Sequence, residues 1–127
     1  MLLQSARFSD AMQSFGTSYT KAVNKSRERC GPLFQSRFRA IHVDDEAYLL
    51  HLSRYIHLNP VPMLVAQPAD WEFSSYREYI GVRDGTLPDP SRIVRELGSP
   101  AAYRRFVESA QPASLRGIRH LLIDDAD

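Results

Sequence analysis

The sequence predicts an α+β fold that is mostly α, and three observations predict it. Apolar residues recur at spacings of three and four in two long stretches, near residues 9–24 and 44–59. Between them, residues 34–43 alternate in the manner of a strand. After residue 88, two Pro–Gly-punctuated stretches of helical length follow one another. The chain has 127 residues, enough for one domain. No apolar run approaches the ~20 residues of a membrane span, and the start lacks the charged-then-apolar layout of a signal peptide. One cysteine, Cys30, excludes an internal disulfide framework and a cysteine zinc site, so a reducing cytoplasm is the expected location.

The first helix is expected over residues 9–24. Ser9 can cap it, and Phe8, Met12, Phe15, Tyr19 and Ala22/Val23 form its stripe. A polar loop from Ser26 to Pro32 follows. In the strand over 34–43, Phe34, Ser36, Phe38, Ala40 and His42 face one way and Gln35, Arg37, Arg39, Ile41 and Val43 the other. Arg37 and Arg39 thus share a face. That face reads equally as a phosphate-binding stripe and as an edge strand guarded by arginines. Asp44 or Asp45 caps the second helix, whose expected stripe is Tyr48, Leu49, Leu52, Tyr55, Ile56 and Asn59. Pro60 should push the Asn59 backbone out of the helical region. Residues 63–73 read as mixed, with short extended pieces. Ser74 or Ser75 opens a short helix ending at Gly81. Asp89-Pro90 opens a helix that stops at Gly98, and Ser99-Pro100 opens another to about Ala110. The tail from Pro112 holds the apolar run Leu121–Ile123 and an acidic end.

Charge is unevenly spread. Residues 1–40 hold seven of the sixteen Lys/Arg but two of the fifteen Asp/Glu. A basic first third suits a phosphate backbone, and it equally describes a solvated charged surface.

The segment Arg54-Tyr-Ile-His-Leu-Asn-Pro60 carries the sharpest chemical signal. Tyr55 and Asn59 lie four apart, so a phenol and an amide oxygen share one helix face. That pairing suits a tyrosine nucleophile attacking a phosphodiester. The bland reading is a core tyrosine and a helix-capping asparagine. With Gly31–Val43, Asp44–Tyr48, Ser53–Val61, Trp71–Tyr76 and Tyr79-Ile-Gly81 in that order, the chain resembles the single-tyrosine HUH transposases, nearest their REP-associated branch.

The resemblance implies a partial ferredoxin-like tyrosine transposase fold with a remnant sheet and a helical C-terminal part. Residues 1–81 would be a truncated catalytic domain and residues 82–127 a helical extension of it. It implies Tyr55 as catalytic nucleophile on single-stranded or hairpin DNA, in DNA transposition. It also implies Asn59 as one ligand to Mg²⁺ or Mn²⁺. Gln35, Arg37 and Arg39 are DNA-contact candidates, as are Lys25, Arg27, Arg29 and Arg54, the cations in or beside these blocks. The family's other metal ligands form a His-hydrophobe-His pair. None occurs among His42, His51, His57 and His120. Met1-Leu-Leu-Gln4 looks like the end of the strand that carries the pair, so the chain is expected to begin just after it. Pro62-Met63-Leu64 stands where the family has a basic residue and a glycine.

The leading expectation is therefore a DNA-binding member of the family that does not cleave DNA alone. An active transposase whose start lies further upstream is a second. A folded remnant that only self-associates, as a homodimer for instance, is a third, because missing strands would expose an edge and an apolar face.

Overall fold

A computed structural model describes residues 2–61 and 64–110, and these are mostly helical, with no strand among them. Helix α1 spans Leu2–Ser26, α2 Glu46–Leu58, α3 Tyr76–Tyr79, α4 Ser91–Leu97 and α5 Pro100–Glu108. A 3-10 turn covers Pro68–Asp70. The expectations for Pro62, Met63 and the tail from Pro112 fall outside the described residues. The chain divides into two compact units between Ala40 and Ile41. The expected division at residues 81 and 82 runs instead through the middle of the second unit.

In the first unit, α1 begins seven residues before the expected start. Ser9 is interior to it, and Leu2–Gln4 are helical, not the end of a strand. No proline or glycine interrupts residues 2–15, so nothing in the chain stops the helix from extending. Its C-terminus is closed by a tight reversal. The Arg27 and Arg29 amides donate to the Val23 and Asn24 carbonyls, at 2.9 and 3.0 Å. The Asn24 amide donates to the Gly31 carbonyl at 2.9 Å.

Residues 34–43 do not form the expected strand. A strand needs a ladder partner for its N–H and C=O groups, and no described segment supplies one. Instead, this segment lies along α1 through aromatic contacts. Phe34 meets Tyr19 at 6.3 Å between ring centroids, and Phe38 meets Phe8 edge-on at 5.7 Å. Phe34 and Phe38, which share a face in the expected strand, both touch this helix, although the backbone bends at Gln35 and Ser36. No side chain from residue 6 to residue 40 is buried, and Phe8, Phe15 and Tyr19 are each about half exposed or more.

The second unit holds the core: Tyr76, Tyr103 and Val107, each fully buried. Leu58, Tyr79, Ile80, Ile93, Val94, Leu97 and Phe106 pack on them. Asp45 caps α2 as expected, its carboxylate accepting from the Ala47 and Tyr48 amides at 2.7 and 3.1 Å. Ser99 caps α5 by accepting from the Ala102 amide, with Pro100 in the first turn. Gly98 ends α4 at φ 95°, a left-handed backbone that a side chain would strain.

The orientation of α2 is the main correction. Its buried residues are Ser53, Arg54 and His57. Ile56 is 55% exposed and Tyr48 39%. The expected stripe is therefore split, with Tyr48, Ile56 and Asn59 exposed and Leu49, Leu52 and Tyr55 half-buried, while the fully buried residues of the helix are polar. That arrangement is stable because the inward groups find hydrogen-bond partners on α5 and around Ser75, which removes most of the cost of burying them. The Asn59 backbone is also helical (φ −53°, ψ −38°), and its amide donates to the Tyr55 carbonyl at 3.0 Å. The bias imposed by Pro60 is outweighed by this bond and by the turn that continues to Val61 and Leu64.

Candidate functional site

The second unit contains a hydrogen-bonded chain that crosses its core. Ser53 Oγ donates to the Leu50 carbonyl at 2.7 Å, and the Tyr103 hydroxyl donates to Ser53 Oγ at 3.1 Å. A hydroxyl has one proton to give. The 2.7 Å contact between Tyr103 and His57 Nδ1 is then an N–H donation from the ring. Nε2 is consequently the bare nitrogen and accepts from Ser75 Oγ at 2.9 Å. Tyr76, Tyr79 and Tyr103 surround the ring at 4.7–5.8 Å between centroids. Burial pulls the His57 pKa down to about 4, with Glu78 opposing weakly. Burial likewise pushes the Tyr103 phenol up. His57 is thus a neutral structural ring with both nitrogens engaged.

Ser75 links this chain to an open cleft of about 310 Å³, lined by Ile56, Asn59, Pro60, Trp71, Phe73, Ser74 and Ser75. Two of the sequence blocks, 53–61 and 71–76, meet there. Tyr55 stands one turn before Asn59 on α2 and is half-buried, while Asn59 is exposed. The far wall is braced by Arg83. Its guanidinium donates to the carbonyls of Glu72 at 2.8 Å and Ser74 at 2.5 Å, and pairs with Glu78 at 2.6 Å. Both flanking carbonyls being held, the side chain between them, Phe73, stands out 78% exposed. The Trp71 and Phe73 rings are 5.3 Å apart and nearly perpendicular.

The cation candidates separate. Lys25, Arg27, Arg29, Arg37 and Arg39 are exposed, as is Gln35. Without a strand, Arg37 and Arg39 have no common sheet face, though both remain available to a phosphate. Arg54 corrects an expectation. It is 5% exposed, lies 4.3 Å over the Phe106 ring, and hydrogen-bonds His51 Nδ1 at 2.8 Å and the Phe106 carbonyl at 3.4 Å. Its Nε has no partner among the described residues. Arg54 holds α2 to α5 and is not presented to DNA.

The described residues do not supply a divalent-cation site around Asn59. They contain no group of three or more His, Cys, Asp or Glu placed to hold a metal. His57, two residues before Asn59, has no free nitrogen. One exposed amide oxygen does not displace the tightly held waters of Mg²⁺.

Sequence reasoning missed His57, Tyr103 and Arg83. Tyr103 lies 46 residues from His57, and no spacing rule links them. The one available signal was the polar row Ser53, Arg54 and His57 at helical spacing. No protein-family model, curated protein or solved structure matches this chain. No helix among the described residues is long and apolar enough to cross a membrane.

Proposed function

We propose that this chain is a transposase-family DNA-binding protein that engages single-stranded or hairpin DNA, with Tyr55 placed as nucleophile but no cleavage by the chain alone. The observation that carries the reading is the meeting of two separated sequence blocks at one cleft. Asn59, from the tyrosine block, and Trp71, Ser74 and Ser75, from the aromatic block, line the same opening. Tyr55 stands one helical turn before Asn59 on the same helix, which supports its reading as the nucleophile toward a strand in the cleft. The exposed cations of the first forty residues supply the charge that a nucleic-acid backbone requires. Mg²⁺- or Mn²⁺-assisted cleavage would need ligands beyond Asn59, so no catalytic step is assigned to this chain by itself.

The finer fold reading belongs to the same proposal. Residues 34–43 alternate in sequence as a strand does, and α2 leaves Ile56 55% exposed. Both features suit a ferredoxin-like sheet whose other strands come from a further segment or a second copy. A homodimer is the form that the second of these would take.

The test is fluorescence anisotropy with labelled hairpin and single-stranded DNA across a salt series. Binding should weaken steeply with salt. Replacing Arg37 and Arg39 together by alanine should reduce the log–log slope by roughly one to two units, about 0.7–0.9 per lost phosphate contact. An unchanged slope removes both residues from the contact surface. No binding at low salt removes the DNA reading.

A further inference from the structure

We infer that the cleft beside Asn59 is a slot for one unpaired nucleobase, with Phe73 as its stacking face, Trp71 packed edge-on against that ring, and Asn59, Ser74 and Ser75 reading the edge of the base. The inference rests on the DNA reading above and deepens it by naming which chemical part of a strand enters this site.

Four observations converge. The first is the exposure of Phe73. A phenylalanine 78% exposed loses the burial that makes its side chain favourable. The backbone that carries it is held by Arg83, which ties down the carbonyls on both sides. An apolar ring carried outward on a held backbone, with Trp71 edge-on against it, offers a stacking surface.

The second is size. At about 310 Å³ the cleft lies at the small end of ligand pockets, which run roughly 300–1,000 Å³. A single planar ring system suits it better than a folded peptide or a sugar chain.

The third is the polar rim. Ser75 Oγ spends its proton on His57 Nε2, which leaves its lone pairs as acceptors. Ser74 Oγ accepts from the Tyr76 amide at 3.1 Å, so its own proton is free to donate. The Asn59 amide offers both kinds of group. Donors and acceptors side by side above an aromatic wall match the edge of a base.

The fourth is the absence of charge. Among the described residues, the lining holds no Lys, Arg, Asp or Glu. The slot is therefore built for the uncharged part of a nucleotide, while phosphates are left to cations elsewhere.

Trp71 is the only tryptophan in the chain, so its emission reports on the slot directly. The probes are a short single strand of mixed sequence and an abasic deoxyribose-phosphate strand of equal length. The base-bearing strand should quench Trp71, and the abasic strand should bind in a salt-dependent way without quenching. Phe73→Ala should weaken binding of the base-bearing strand about tenfold and leave the abasic strand and the salt slope unchanged. Phe73→Trp should restore affinity. Phe73 is too exposed for its loss to unfold the chain, which circular dichroism would verify. Equal affinity of the base-bearing strand for wild type and Phe73→Ala, or equal quenching by the abasic strand, overturns the slot while leaving DNA binding intact. Failure of both strands to bind overturns the DNA reading and the slot with it.

Discussion

The Tyr103 hydroxyl lies 2.7 Å from His57 Nδ1, and this bond ties the buried polar face of α2 to α5. His57 is 2% exposed and Tyr103 fully buried, so neither group has water as an alternative partner. Rotating α2 to bury Ile56 would pull His57 out of its tyrosine cage and leave the Tyr103 phenol without its ring partner.

Tyr103→Phe should therefore destabilise the chain without changing its shape. It leaves the His57 N–H unmet in a buried site, a loss of about 1–3 kcal/mol. Urea unfolding followed by far-UV circular dichroism measures it. A midpoint equal to wild type would mean that the bond contributes nothing net.

Stability should fall as the medium is acidified from neutrality. His57 is held neutral in the fold, with a pKa of about 4 against the usual 6.5. Above pH 6.5 both folded and unfolded states are neutral at this ring, and the full stability is present. Between pH 6.5 and about 4 only the unfolded chain takes up the proton, which favours unfolding by up to about 3 kcal/mol. His51, lowered by burial and then by Arg54, acts with the same sign. Urea midpoints measured across this range should slope downward, and His57→Gln should flatten the slope. A flat wild-type profile would contradict the burial of a neutral ring.

Arg54→Met should be tolerated. The guanidinium is buried without a carboxylate among the described residues, and replacing a buried charge by a packed apolar side chain is often neutral or stabilising by about 1 kcal/mol or more. Its affinity for single-stranded DNA and its salt slope should match wild type. A reduced slope would return Arg54 to the DNA-contact set.

Incubation with labelled hairpin DNA and Mg²⁺ or Mn²⁺ should give no covalent adduct on a denaturing gel. The reason is geometric, since Asn59 is a single ligand and His57 has no nitrogen to offer. A covalent band that disappears in Tyr55→Phe would show that the missing ligands are assembled in another way. No band from this chain alone, but one after a His-hydrophobe-His strand is added in front of it, would show a competent nucleophile in need of metal ligands.

The local elements were legible in the sequence because their causes are local. Asp45 and Ser99 cap the helices that their position and chemistry called for, and Gly98 stops a helix because only glycine is at ease at its positive φ. The alternation from Phe34 to Phe38 was legible as a sequence pattern, and both rings do meet the first helix. The strand itself was not, because it depends on a partner that no local pattern reveals. The tyrosine block and the aromatic block could be read as blocks, but their meeting at one cleft required the chain to fold back between residues 61 and 71. Tertiary structure alone decided the face of α2. A periodicity argument assigns the apolar stripe to the core, since burial of apolar area is the larger general term. Here the inward face is Ser53, Arg54 and His57, because Tyr103, Phe106 and Ser75 arrive from elsewhere in the chain to satisfy it.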